Sequence, residues 1–349
     1  MSGTAQVVAL LGARAARLGG PWLALLALVL AAALAFGVGR YPVSLLDVAR
    51  VLVGRLAGHA PDVAPAVEAV VLQIRGPRIA AAILIGAALS VAGTAFQGLF
   101  RNPLVSPDIL GASSGAALGA VLGIWLSLGV LAIEGLAFAG GLAAVACVYA
   151  LGAALSGRDP ILVLVLAGIV IGSLLGAGVG LIKYLADPYN QLPAMTFWLL
   201  GSLSGAHPSD LLPLAGPVVL GTGLLLALRW RLDVLSLPDE EARSLGLATG
   251  ALRVAVVAAA TLVTAASVAT AGIVGWIGLV VPHLARFLVG PGFGRLIPTA
   301  ALLGAGTLLT IDTLARTLAP VEVPLGILTA FVGTPIFLWL LARAERDWS

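Results

Sequence analysis

The chain is 349 residues long, 60% hydrophobic and only 10% charged. A soluble domain carries about 25% charged residues, so this chain lacks the material for a water-facing shell. A soluble globular protein, a disordered protein and a nucleic-acid-binding protein are all excluded. The net charge of +3, from 19 Lys and Arg against 16 acids, reads as loop charge that sets topology. The single cysteine, Cys147, lies in an apolar run, which leaves no intramolecular disulfide and no cysteine-held metal cluster.

Arg14 and Arg17 precede the apolar run Pro21–Gly39. A secretory signal has about 7–15 apolar residues, whereas ~20 span a ~30 Å hydrocarbon core. The run therefore predicts an uncleaved first helix with its N-terminus inside. Residues 40–75 form a polar outer segment with an amphipathic helix near Leu45–Leu56. Nine further spans are expected near 79–99, 110–131, 133–155, 160–184, 211–229, 253–272, 273–290, 297–315 and 324–342. Residues 110–155 contain only Glu134 as a charge, and at 1.5 Å per residue they make about 69 Å of helix, enough for two crossings. The same arithmetic divides 253–290 near Gly272–Gly275.

Glycines recur at four-residue steps at Gly111, Gly115, Gly119 and Gly123, and again at Gly168, Gly172, Gly176 and Gly180. Such steps stay on one helix face and make grooves where a second backbone packs closely or slides. Between Asp187 and Pro208 the apolar piece Met195–Gly205 is too short to cross and reads as re-entrant or interfacial. The longest inner loop, Arg229–Arg253, is also the most charged. Ten crossings place both termini on one side. Seven of the 19 basic residues (Arg40, Arg50, Arg55, Arg75, Arg78, Lys183 and Arg316) then fall on the far side. The majority on the side of the termini predicts that these are cytoplasmic. The whole chain, 1–349, reads as one polytopic membrane domain.

Signatures of catalysis are missing. His59, His207 and His283 are far apart and lack HExxH spacing. Gly111-Ala-Ser-Ser-Gly115 lacks the Gly-x-Ser-Gly of an intramembrane serine protease in either register. A phosphate-binding G-x-x-x-x-G-K-[ST] loop is impossible, because the only lysine, Lys183, follows Ile182. Any ATP hydrolysis must occur on another chain. Ion-coupled transporters carry ionisable groups within their spans. Here Glu134, Asp312 and Glu322 fall near predicted span ends, which points to interfacial solvation and makes an ion-coupled secondary transporter the weaker rival.

The inner loop holds one local signal. Pro238 suits a first helical turn, Asp239, Glu240 and Glu241 suit the positive helix N-terminus, and Gly246 suits a C-terminal cap. A two-turn helix over Asp239–Leu245 on the cytoplasmic surface is expected.

Asp239-Glu-Glu-Ala-Arg-Ser-Leu-Gly-Leu247 resembles the coupling helix of the FecCD family, permeases of ABC importers for iron-siderophores, haem and vitamin B12. Further segments resemble the family in chain order. They are Arg75-Gly-Pro-Arg78, Gly86–Gly93, Gln97-Gly-Leu-Phe-Arg-Asn-Pro-Leu-Val-Ser-Pro-Asp-Ile-Leu-Gly-Ala-Ser-Ser-Gly-Ala116, Phe197–Leu203, Gly278–Arg286, Asp312–Arg316 and Glu322–Ile327. The resemblance covers roughly 70–342, with Gly76 and Pro238 departing from an expected Leu and Gly.

It implies an all-α integral membrane fold of ten transmembrane helices per subunit, like the vitamin B12 importer permease. It also implies a homodimer, two ATP-binding subunits on the cytoplasmic side, and a periplasmic or lipoprotein substrate-binding protein outside. No cofactor is implied. Arg75, Arg78 and Arg316 match the family's binding-protein docking positions; an arginine fork suits a carboxylate through two hydrogen bonds. Asp239, Glu240, Glu241, Ala242, Arg243, Ser244, Leu245 and Gly246, within the loop 230–252, match the ATPase-coupling element. Ser156, Gly157, Arg158, Asp159 and Pro160 match the inner gate. The implied cargo is a bulky metal chelate, an iron(III)-siderophore, with haem or cobalamin as alternatives.

Overall fold

The structure, a computed structural model, describes residues 3–39, 41–155 and 160–347. Helices and turns account for all the regular structure among them. The backbone reason is the solvent: hydrocarbon offers no hydrogen bonds, so each span must satisfy its own N–H and C=O groups.

Fifteen α-helices follow in order among the described residues. The first is α1 (Gly3–Gly37), and the outer segment contributes α2 (Leu45–Leu56) where its amphipathic pattern predicts it. The Ser44 hydroxyl caps α2 by accepting from the Asp47 amide at 3.1 Å. One continuous helical run then comprises α3 (Pro65–Ala69), a π-helical turn (Val70–Arg75) and α4 (Gly76–Leu99). This corrects the expected boundary at 79, because helix starts ten residues inside the segment read as polar. Gly76 sits against the widened turn, where a Cβ would lie 2.7 Å from the Val71 carbonyl.

A 3₁₀ turn (Pro107–Leu110) leads into α5 (Ala112–Trp125), shorter than the expected 110–131, and then α6 (Val130–Ala154) and α7 (Pro160–Leu185). The short apolar piece forms α8 (Gln191–Leu200), followed by α9 (Pro208–Ala227). The charged loop holds two helices: α10 (Arg229–Leu235), which the sequence reading did not anticipate, and α11 (Asp239–Ser244). The remainder is α12 (Thr249–Ala271), α13 (Ile277–Val289), α14 (Phe293–Thr317) and α15 (Leu325–Asp347).

Among the described residues seven helical stretches are long and apolar enough to cross a membrane, including Gly19–Gly37 and Pro65–Leu99. Three shorter apolar helices, Ala112–Trp125, Ile277–Val289 and Leu325–Leu340, accompany them. Burial sorts the crossing helices into two shells. In their most apolar windows α4, α12 and α14 are more than half buried, whereas α1, α6, α7 and α9 are about one-fifth buried. The outer helices turn residues such as Leu26, Leu30, Leu166, Val170 and Leu174 outward, which costs nothing against lipid chains.

Close backbone approach replaces the hydrophobic drive that lipid removes. Gly86 of α4 and Gly304 of α14 face one another so tightly that a Cβ on either would collide with the other's carbonyl. Gly304→Val is therefore expected to cost about 1–3 kcal/mol by overpacking, read as a lower thermal midpoint in nonionic detergent. The first glycine ridge is a packing groove, since Cβ atoms at Gly115 and Gly119 would strike the Gly140 and Leu136 carbonyls of α6. The second is split: Gly168 abuts Ile109, whereas Gly176 and Gly180 face open space. Some buried hydroxyls in the spans turn back on their own helices, as Thr94 does to Ser90 O (2.8 Å) and Ser267 to Val263 O (2.7 Å), whereas those of Ser90, Thr261 and Thr299 have no protein partner.

Two ends of the bundle matter for function. With 24 residues at 1.5 Å each, α4 is about 36 Å long, and it separates a charged cluster at Arg75–Arg78 from another at Arg101.

Candidate functional site

Arg75 and Arg78, together with Arg316 more than 200 residues further along the chain, line one open cavity of about 560 Å³ with Tyr41, Ile74 and Glu322. Their neighbours fix each differently. Arg75 is only 5% exposed; its guanidinium donates to the carbonyl of Tyr41 (2.5 Å) and to that of Phe36. It thereby caps the end of α1, whose last carbonyls have no helical partner. The Arg78 guanidinium donates to Asp312 through Nε (2.9 Å to Oδ1) and Nη2 (2.8 Å to Oδ1), and also to Glu322. Arg316 donates to the carbonyl of Ala35 (2.9 Å) and lies 3.5 Å from Asp312 Oδ2 through its Nε.

The hub is Asp312, whose side chain is fully buried. This corrects the sequence reading of Asp312 as a solvated span end. The signal lay in Asp312-Thr-Leu-Ala-Arg316, an i,i+4 acid–base pair on one helix face, but nothing in the sequence announced Arg78 as a third member. Three guanidiniums meet two carboxylates here, so the cluster is one negative charge short.

The opposite cluster is built around α11. Pro238 enters it in an extended conformation and Gly246 leaves it with φ +81°. The Gly246 amide donates to Arg243 O (2.9 Å) and the Leu247 amide to Ala242 O (3.2 Å). This pair is a Schellman cap, which a left-handed glycine makes possible. The helix ends at Ser244, one residue short of the expected Leu245.

Its side chains divide by direction. Ala242 is buried, and Asp239 turns inward to Arg101 Nη2 (2.6 Å) and Arg253 Nη2 (2.6 Å). Burial pushes the Asp239 carboxyl up, but the hydrogen bonds and charges of Arg101 and Arg253 outweigh it and hold it below the usual carboxylate value. Glu240, Glu241, Arg243, Ser244, Leu245 and Gly246 are exposed. Leu245, an apolar side chain 58% exposed, stands beside the two glutamates. Asp233 of α10 caps α14 by accepting from the Phe293 amide at 2.8 Å. The charged loop is thus bolted to the segment that follows α4, to α12 and to α14 together, and sequence reading missed Arg101, Arg253 and Asp233 as its bolts.

Of the third predicted group, Ser156, Gly157, Arg158 and Asp159 lie outside the described residues, and Pro160 opens α7. The structure holds no group of three or more His, Cys, Asp or Glu placed to bind a metal among the described residues.

Among the described residues, an all-helical bundle with an apolar core and its charge gathered at two ends has the build of a multi-pass membrane protein. Residues 25–343 match the model of the FecCD transport family. The chain belongs to that family, and is a permease of the ABC-importer type.

Curated relatives match it over most of their own length. The molybdate import system permease protein MolB of Haemophilus influenzae is 36% identical over 321 residues, 92% of this chain and 94% of MolB. The hemin transport system permease protein HmuU of Yersinia pestis is 44% identical over 284 residues, 79% of this chain and 84% of HmuU. A solved structure of a metal-chelate-type ABC transporter in an inward-facing conformation superposes with a TM-score of 0.84 at 35% identity, covering 93% of this chain and 98% of that one.

Proposed function

We propose that the chain is the membrane subunit of an ATP-driven importer that moves a bulky iron chelate, an iron(III)-siderophore, into the cytoplasm. The observation that carries this reading is the pair of unlike charged surfaces at the two ends of α4. One is an arginine pocket one carboxylate short; the other is a capped helix presenting Glu240, Glu241 and Leu245.

In this reading the seven long and three shorter apolar helices make ten crossings, with both termini cytoplasmic. Two copies pair, with the pathway between them, and two ATP-binding subunits sit under the α11 helices. A periplasmic or lipoprotein substrate-binding protein docks on the pocket, where a carboxylate of its own neutralises the surplus positive charge. Arg78 and Arg316 reach that carboxylate, while Arg75 holds the end of α1 in place and adds its field. Cargo selection resides in the binding protein, in keeping with the predominantly apolar make-up of the spans. The residues 156–160 form the inner gate.

The relative named for hemin supports an iron chelate as cargo. The relative named for molybdate supports a small oxyanion as the second reading. Uptake by the reconstituted complex separates them: labelled ferric siderophore or haem enters ATP-dependently on the first, labelled molybdate on the second. Uptake driven by a proton gradient without ATP would overturn both.

Docking has its own test. Arg316→Glu is expected to weaken capture of the binding protein by about tenfold, roughly 1.4 kcal/mol, in a salt-sensitive way. Unchanged affinity in surface plasmon resonance at low salt would remove Arg316 from the docking surface.

A further inference from the structure

At the α11 end a second cavity, of about 450 Å³, opens between the ends of α4 and α13. Its polar wall comprises Gln97, Arg101, His283 and Arg286, and its apolar wall includes Phe287 and Phe293. Arg286 differs from the other buried and half-buried arginines in what holds it. Arg78, Arg101, Arg253 and Arg316 each face a carboxylate, and Arg75 is held by two carbonyls. Arg286, half-buried, donates only to the neutral amide oxygen of Gln97, and no carboxylate lies within ion-pair distance among the described residues.

That amide is itself fixed. Gln97 is 3% exposed and donates through Nε2 to the Leu279 carbonyl at 3.1 Å, which aims its oxygen at the guanidinium. The arginine is therefore held in one orientation with its remaining N–H groups free for a ligand. Beside it, the buried Nδ1 of His283 has no hydrogen-bond partner. A partly buried cation without a counter-charge is costly, and aromatic walls deepen the cost by lowering the local dielectric. An anion with several acceptor oxygens relieves it through charge-assisted bonds from the planar fork.

We propose that this cavity is a binding site for a tetrahedral oxyanion, presented either free in solution or as the phosphate of an anionic phospholipid headgroup. Arg286 supplies the anchoring charge, and Gln97 sets its direction. Arg101 supplies a second positive charge from the mouth. Because Arg101 also grips Asp239 at 2.6 Å, an anion in the cavity shares an arginine with the coupling helix.

The test uses the full chain, delipidated in nonionic detergent, with phosphate and molybdate titrated by calorimetry. A parallel arm places the chain in nanodiscs of phosphatidylglycerol or phosphatidylcholine and reads retained lipid by native mass spectrometry. A free-anion site gives saturable binding in detergent. A headgroup site gives selective retention of phosphatidylglycerol. In either arm Arg286→Gln is expected to weaken binding at least tenfold, and Arg286→Lys less. Gln97→Glu keeps the arginine and supplies an internal carboxylate, so it should block the site in a folded protein.

Absence of binding in both arms, or binding unchanged in both Arg286→Gln and Gln97→Glu, overturns the proposal. Loss of ATPase-subunit capture in Arg286→Gln without any anion or lipid binding also overturns it, assigning the cavity to an acidic side chain of that subunit.

Discussion

Asp312→Ala is expected to lower stability by about 3–5 kcal/mol, the size seen when one partner of a buried ion pair is removed. The carboxylate is fully buried, takes three hydrogen bonds from Arg78 and lies 3.5 Å from Arg316. Without it, two mostly buried guanidiniums face each other with only Glu322 to offset them. Asp312→Asn keeps the shape but not the charge, so it should lose nearly as much. Glu322→Gln should lose less, because that side chain is 28% exposed and water can replace it. Replacing Arg78 and Asp312 together by Met and Leu should recover part of the loss, since removing both charges removes the desolvation cost. The measurement is the midpoint of thermal unfolding in nonionic detergent. A midpoint for Asp312→Asn equal to that of the unaltered chain would mean that the cluster is held by packing and not by charge.

The cluster also marks where sequence reading stops. The bulk of the fold was legible because hydrocarbon imposes one rule, a long apolar helix per crossing, and the expected spans agree with helices to within a few residues in most cases. The exceptions have physical causes. The outer segment becomes helical at Pro65 because its few polar residues, such as Glu68, sit at the rim and pair with Arg55, which an apolar count treats as an interruption. α10 was missed because seven residues of mixed polarity carry no periodic signal. Its identity comes from tertiary use: Leu232 and Leu235 are buried and Asp233 caps α14.

The site residues divide in the same way. Pro238 and Gly246 announce α11 because caps are local chemistry, and the structure places that helix within one residue of its expected span. Arg75, Arg78 and Arg316 were found through resemblance, yet only coordinates reveal that Arg75 is turned inward to α1 or that Asp312 is their hub. Partners separated by more than 200 residues leave no pattern in a single sequence. The same holds for Asp239, which sequence groups with its two glutamates and the fold separates from them.

That separation makes the second large prediction specific. Glu240→Lys with Glu241→Lys is expected to reduce ATP-dependent uptake at least tenfold while leaving the thermal midpoint unchanged, because both side chains are exposed. ATP hydrolysis by the complex should persist, uncoupled from transport. Asp239→Asn acts by another route. It loosens the grip of Arg101 and Arg253 on α11, so it should lower the midpoint slightly and reduce uptake together.

The pH dependence follows from the same carboxyl. Its folded-state pKa is depressed, so its contribution is complete above the ordinary carboxylate value, about 3.9. That contribution is lost only as pH falls through the lowered value. The Asp239 anchor therefore adds no slope to uptake between pH 6 and 8. A titration of uptake in that range that differs between the unaltered chain and Asp239→Asn would contradict the anchor. So would a midpoint that falls as far in Glu240→Lys with Glu241→Lys as in Asp239→Asn, because the glutamates would then be holding the helix in place and not meeting a partner.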